Sequence, residues 1–449
     1  MNLGIAVMTL SILFGGDSPS KSPSADSIYD SDPAHLWNRL HRTLWVRTGP
    51  NGKEYGHDRL DPYLWRETKH LLEGDLHNQA IADLDEFLTA HGENLEKEPL
   101  KRAMLQRDLW AVFDWTTESG EKKHAESSRK LQTRIARIIQ RLALSPEQIK
   151  GLPDNYAVAV AAKTFAEKHD PGHPERPFLP PDLLQKDGPW VEIVIDNSSA
   201  VTASRHVLDF GARSAFRVFL RLPEGRKESL AYLKSLNDFP RRWLASEDQK
   251  PDLLRLSSEL PQFPVGTEVA LVRQMLLIDK DGNLAPSSLT ESVQLRVFRA
   301  IPKLEPGQDP LQGQARVRGE PDTQDSYEFT LGRIELFAGK NGGLRAIGRD
   351  EKDFRTQLLV QTYDEFESST DGAFERHMEI TTQSCRGCHD RPGIFSIQSY
   401  TGDNYPRPRY YLPHLSSGDG DEQARLSAQK KREQFSWGLL RGLWEQQSR

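Results

Sequence analysis

Between Asp170 and the start of an alternating segment at Trp190, the chain carries Pro171, Pro174, Pro177, Pro180, Pro181 and Pro189. Each proline fixes its own φ, lacks an N–H donor and pushes the preceding residue out of the helical region. Such a segment can be neither a helix nor a central strand, so residues 151–189 read as an extended connector. The sequence on its two sides follows different periods, and that difference sets the fold class.

Upstream, over 33–150, apolar residues recur at helical spacing. Leu36, Leu40 and Leu44 share a face, as do Leu84, Phe87 and Leu88, then Leu105, Leu109, Val112 and Phe113, then Leu131, Ile135, Ile138 and Leu142. Gly49-Pro50-Asn51-Gly52, Gly74, Gly92 and Pro99 separate them into four or five helices. Ser145-Pro146-Glu147-Gln148 has the form of a capping box with proline at the first helical position. Trp37, Trp45, Trp65, Trp110 and Trp115 fall in this region at helical spacing, which suits core packing better than a cofactor box.

Downstream, over 190–366, the period becomes two, as in Trp190 to Asp196 and Phe216 to Leu222. Apolar runs at Glu268 to Ile278 and Glu291 to Arg299 flank Asp279-Lys280-Asp281-Gly282-Asn283. Asp281-Gly282 is a hairpin signal, and the remaining ligands of a calcium loop are missing. Tyr327 to Phe337 and Thr356 to Tyr363 predict further strands. The expected fold is α+β multidomain: a helical domain over 33–150, an antiparallel β sandwich or barrel-like domain over 190–366, and a C-terminal segment over 367–449 ending in a helix.

Several functions are disfavoured. With 449 residues and a net charge of -6, the chain has no cation excess for a nucleic-acid interface. Gly332 to Lys340 lacks the spacing of a phosphate-binding loop, and no nucleophile elbow, zinc-protease motif or dinucleotide fingerprint occurs. His169 and His173 lie beside Asp170 and Glu175, but the intervening proline and glycine remove the helical face that a metal-binding histidine pair uses. Leu3 to Phe14 is too short to span a bilayer and predicts a signal peptide over 1–16, followed by a disordered Ser/Pro/Asp-rich linker over 17–32. The signal peptide makes the expected location periplasmic or otherwise extracytoplasmic, and no other segment reaches transmembrane length.

Against this background Ser384 to Gly393, SCRGCHDRPG, stands apart. Its Cys385 and Cys388 are the two cysteines of the chain, three positions apart and followed directly by His389. Three chemistries use such a pair: covalent haem attachment, a dithiol–disulfide couple, and zinc binding. The disulfide couple would call for a βαβ context, and zinc would call for two more ligands from His377, His389 or His414.

Cys385 to His389 resembles the attachment segment of c-type cytochromes, and the resemblance is confined to that stretch. It implies one haem c, with Cys385 and Cys388 as thioether anchors and His389 as the proximal iron ligand. It also implies assembly outside the cytoplasm, one-electron transfer, and a redox partner protein. Small cytochromes of this family take a downstream methionine as the sixth ligand, but here no methionine follows His389. His414 is the candidate distal ligand, with His377 and Met378 as alternatives. Arg386, Arg391, Arg407 and Arg409, interleaved with tyrosines, are candidate partners for the haem propionates. An open sixth position would instead make a peroxidase-like enzyme. A binding protein with a structural Cys385–Cys388 disulfide is the further alternative.

Overall fold

A helix with apolar residues on one side must bury that side against something, and here the first four helices pack chiefly on one another. A computed structural model describes residues 27–60, 69–118, 122–195, 201–240, 242–245, 254–304, 323–354, 366, 378–384, 389–397, 414–418 and 420–447. The signal peptide, most of the 17–32 linker, Trp65, the strand expected at Thr356 to Tyr363, His377, Cys385, Arg386, Cys388, Arg407 and Arg409 lie outside them.

Helix α1 (Leu36–Trp45) buries Leu36, Trp37, Leu40 and Leu44. Helices α2 (Gly74–Thr89), α3 (Pro99–Glu118) and α4 (Ala125–Leu142) pack with it, α4 through Leu131, Ile135, Ile138 and Leu142. Of the tryptophans, Trp37, Trp45, Trp110 and Trp115 are core side chains; the Trp37 and Trp45 indoles donate to the carbonyls of Gly92 and Arg59. The capping box forms as expected at α5 (Pro146–Lys150), where Ser145 and Gln148 bond each other's backbone N–H. A short α6 (Asn155–Ala161), capped by Asp154, lies inside the stretch 151–189 expected to be extended; the prolines that exclude helix begin only at Pro171. Residues 27–32 are packed rather than disordered: Ile28 and Tyr29 are buried, and the Tyr29 N–H donates to Asn38. Polar neighbours in sequence obscured that apolar pair.

Two short strands, β1 (Arg47–Thr48) and β2 (Glu54–Tyr55), form a ribbon beside the helices. After the connector come β3 (Val191–Ile195), α7 (Ser204–Asp209), β4 (Ser214–Arg221) and α8 (Arg226–Asp238). The pair β5 (Trp243–Ala245) and β6 (Leu254–Leu256) follows, then the long hairpin β7 (Glu268–Ile278) and β8 (Leu284–Phe298). Next come β9 (Gln324–Leu331), α9 (Arg333–Phe337), β10 (Leu344–Ala346), the pair β11 (Lys352–Phe354) and β12 (Met378–Ile380), and β13 (Leu415–Ser417). Helices Gly420–Arg432 and Phe435–Gln447 follow.

Seven of these strands form one antiparallel sheet in the order β10-β9-β8-β7-β4-β3-β13. The expected sandwich or barrel is thus, among the described residues, an open sheet with helices taking the place of a second sheet. The Asp279 to Asn283 turn has Gly282 at φ +76°, and its Asp279 carboxylate accepts the N–H groups of Asp281 and Asn283. That carboxylate caps a turn.

Both sheet faces are covered, so β3 is buried at every position, including Glu192, which pairs with Arg217. On one face Ala270, Val272, Val293 and Leu295 join the helical core, so a single apolar cluster draws on residues from both sides of the connector. On the other face Ile193, Phe216, Val218, Val269 and Phe298 pack with α8 and with Ile394, Phe395 and Ile397.

Helix α3 lies between the helical layer and the sheet, and every residue from Ala103 to Thr116 is buried, charged ones included. Burying charge is costly unless it is paired, and here each is. Arg107 and the β7 residue Arg273 converge on Glu291 at 3.2 and 2.7 Å. Asp108 holds Arg333, and Asp114 holds Arg213 and, at 2.5 Å, Lys431. Among the described residues no helix is long and apolar enough to cross a membrane.

Candidate functional site

Side chains alternate across a strand, so β8 sends Val293, Leu295 and Val297 to the helical face and turns Arg296 and Phe298 the other way. Residues 389–397 lie against that second face. Ile394, Phe395 and Ile397 are its apolar anchors, all nearly inaccessible to solvent. Gly393–Ser396 forms one 3-10 turn, started by Pro392. Gly393 sits at φ +52°, and a Cβ there would overlap the Gln262 side-chain oxygen that accepts the Ile394 N–H at 3.0 Å. The position therefore requires glycine for both its backbone angle and its close approach.

The turn aims His389. Its Nδ1 lies 2.7 Å from the Ser396 carbonyl, and a carbonyl can only accept, so Nδ1 carries the proton and Nε2 keeps the lone pair. The Ser396 hydroxyl donates to Gly393 O at 2.8 Å, which closes the turn on itself. Gln324 donates to the His389 carbonyl at 3.1 Å, and Arg296 reaches the same carbonyl at 3.4 Å and Ser396 Oγ at 3.3 Å. The His389 pKa is held well below the usual imidazole value, first by burial and then by Arg296 and His206, with Arg391 adding to them. The ring is thus kept neutral, oriented and ready to donate electrons through Nε2, the state in which imidazole binds a metal.

The other sequence candidates are distributed unevenly. Arg391 is half-buried two residues after His389. His414 is exposed just before β13, where it meets the Arg242 guanidinium at 3.3 Å. Met378 belongs to β12 and packs against the helical core, whereas the His389 turn packs into the cluster on the opposite sheet face. The imidazole found beside His389 is that of His206 on α7, with ring centres 6.2 Å apart and planes 6° from parallel. In the connector, His169 pairs with Asp325 and His173 with Glu175, so the two do not share a ligand site.

Sequence reasoning missed His206, Gln262, Arg296, Gln324 and the role of the Ser396 carbonyl. Arg296 carried a signal, being a cation inside an alternating strand. His206 carried none, since α7 is six residues long and shows no period. Among the described residues no group of three or more His, Cys, Asp or Glu side chains is arranged to hold a metal ion.

Replacing Gly393 by alanine is expected to loosen this turn. The left-handed backbone costs about 1–2 kcal/mol for a residue with a Cβ, and moving Gln262 off the Ile394 N–H removes about 1 kcal/mol more. Hydrogen exchange at the Ile394 and Phe395 amides should accelerate accordingly, while the helical core keeps its protection.

Comparison with protein-family models, with curated proteins and with solved structures finds no match to the chain.

Proposed function

We propose that the chain is an exported mono-haem c protein that transfers single electrons, with haem carried on Cys385, Cys388 and His389. The observation that carries this reading is the hydrogen bond from His389 Nδ1 to Ser396 O, directly after a C-x-x-C pair. Ligating histidines commonly donate their second nitrogen to a carbonyl or carboxylate, which fixes the tautomer and raises ligand basicity. The donor set fits haem iron: two thiols spaced for thioether bonds, then a neutral imidazole whose Nε2 is the basic nitrogen.

When bound, haem supplies one-electron oxidation and reduction. The chain's own residues supply the rest. Ser396 orients the imidazole, and the Ile394, Phe395 and Ile397 anchors hold its loop against the sheet. Arg296, beside the histidine carbonyl, disfavours protonation of His389 and would favour the reduced, less positive form of the iron. Arg391, together with Arg386, Arg407 and Arg409, would answer the propionates. The expected location is extracytoplasmic and the partner is another redox protein.

Intact mass spectrometry and absorption spectroscopy of the chain, produced by export in cells that attach haem c, test the proposal. One added haem mass, a Soret band and reversible reduction are expected. An unmodified, colourless chain would refute it.

A further inference from the structure

Resting on that reading of His389, we infer that His206 is the second axial ligand, so that the iron is held between two parallel imidazoles. An iron–imidazole nitrogen bond is about 2 Å long, as for other transition metals, and the nitrogen lies about 1.1 Å from its ring centre. Two imidazoles on opposite sides of one metal therefore have ring centres about 6 Å apart. The centres of His206 and His389 are 6.2 Å apart, and their planes differ by 6°. His389 Nδ1 is occupied by Ser396 O, which leaves Nε2 as its ligating atom.

The closer ring contact of His206 is with Phe216, at 5.5 Å between centres, and that contact fixes the imidazole against β4. Helix α7 itself is anchored by Val207, which is fully buried in the same apolar cluster as Phe216 and Ile394. Both ligands therefore stand on elements packed into one core, a rigid arrangement that favours preorganised ligation. His414, exposed and against Arg242, is then a surface residue.

The test compares the exported chain with its His206→Ala, His206→Phe and His414→Ala variants, each first weighed for covalent haem. The ferric wild type should be low-spin, and near-parallel imidazole planes should give a rhombic electron paramagnetic resonance signal. His206→Ala and His206→Phe should keep the added haem mass but lose the low-spin spectrum. Carbon monoxide should then bind the ferrous variants at least about tenfold faster, and added imidazole should restore the low-spin spectrum of His206→Ala. His206→Phe keeps an aromatic ring against Phe216, so retained far-ultraviolet circular dichroism separates ligand loss from misfolding. His414→Ala should match the wild type.

A haem-loaded His206→Ala protein that stays low-spin would overturn the assignment and leave the proposed function standing. So would a wild type that is high-spin, or a low-spin spectrum lost in His414→Ala instead. A wild type without covalent haem, including a colourless one that binds zinc, would remove both.

Discussion

Glu291→Ala is expected to destabilise the protein by about 3–5 kcal/mol, the usual cost of breaking a buried ion pair by deleting one partner. Glu291 is fully buried and lies between Arg107 of α3 and Arg273 of β7, both nearly inaccessible. Ser214 of β4 also donates to it. Alanine would leave two buried guanidinium groups without their shared carboxylate, at the layer where helices meet the sheet. A domain's whole stability is about 5–15 kcal/mol, so the variant would be recovered partly unfolded. Glu291→Gln keeps acceptor geometry but not charge and should fall between alanine and wild type. Urea unfolding, followed by tryptophan fluorescence and far-ultraviolet circular dichroism, measures the difference. A loss below about 1 kcal/mol would show that the pair is no more than a surface-like bridge.

The second large effect concerns the proposed cofactor. Replacing both Cys385 and Cys388 by serine should abolish covalent pigment, because a hydroxyl does not form the thioether. Each single variant should retain one bond at most and release a larger share of haem to acidic organic solvent. His389→Ala, with both thiols kept, should shift any haem that does attach to a high-spin spectrum. A double serine variant as strongly coloured as the wild type would place the haem elsewhere. The fold should survive these changes, since the anchors at Ile394, Phe395 and Ile397 lie beyond the motif.

What could be read from the sequence was mostly local. Ser145 to Gln148 announced its capping box, Asp281-Gly282 its turn, and the proline segment the change from helix to strand. What depended on tertiary packing was hidden. Arg107, Asp108 and Asp114 look like an ordinary solvated face in a helical pattern, yet α3 is surrounded, and its charges are matched by residues from remote segments. The clue was that Ala103 to Phe113 carries apolar residues around the whole helix, which signals a buried helix. The common core of helices and sheet was invisible for the same reason, since periodicity tells which face is buried but not against what. At the candidate site, Cys385 to His389 was conspicuous by spacing alone. The neighbouring imidazole was not, because His206 and His389 are remote in sequence and only tertiary packing brings their rings together.

Strand β3 is buried throughout, and its outer neighbour is the three-residue edge strand Leu415–Ser417. Until that late segment is synthesised, the outer side of Val191–Ile195 offers its unpaired N–H and C=O groups to any passing strand. Maturation is therefore a race between self-completion and capture by other nascent chains. A holding chaperone would earn its keep in that interval.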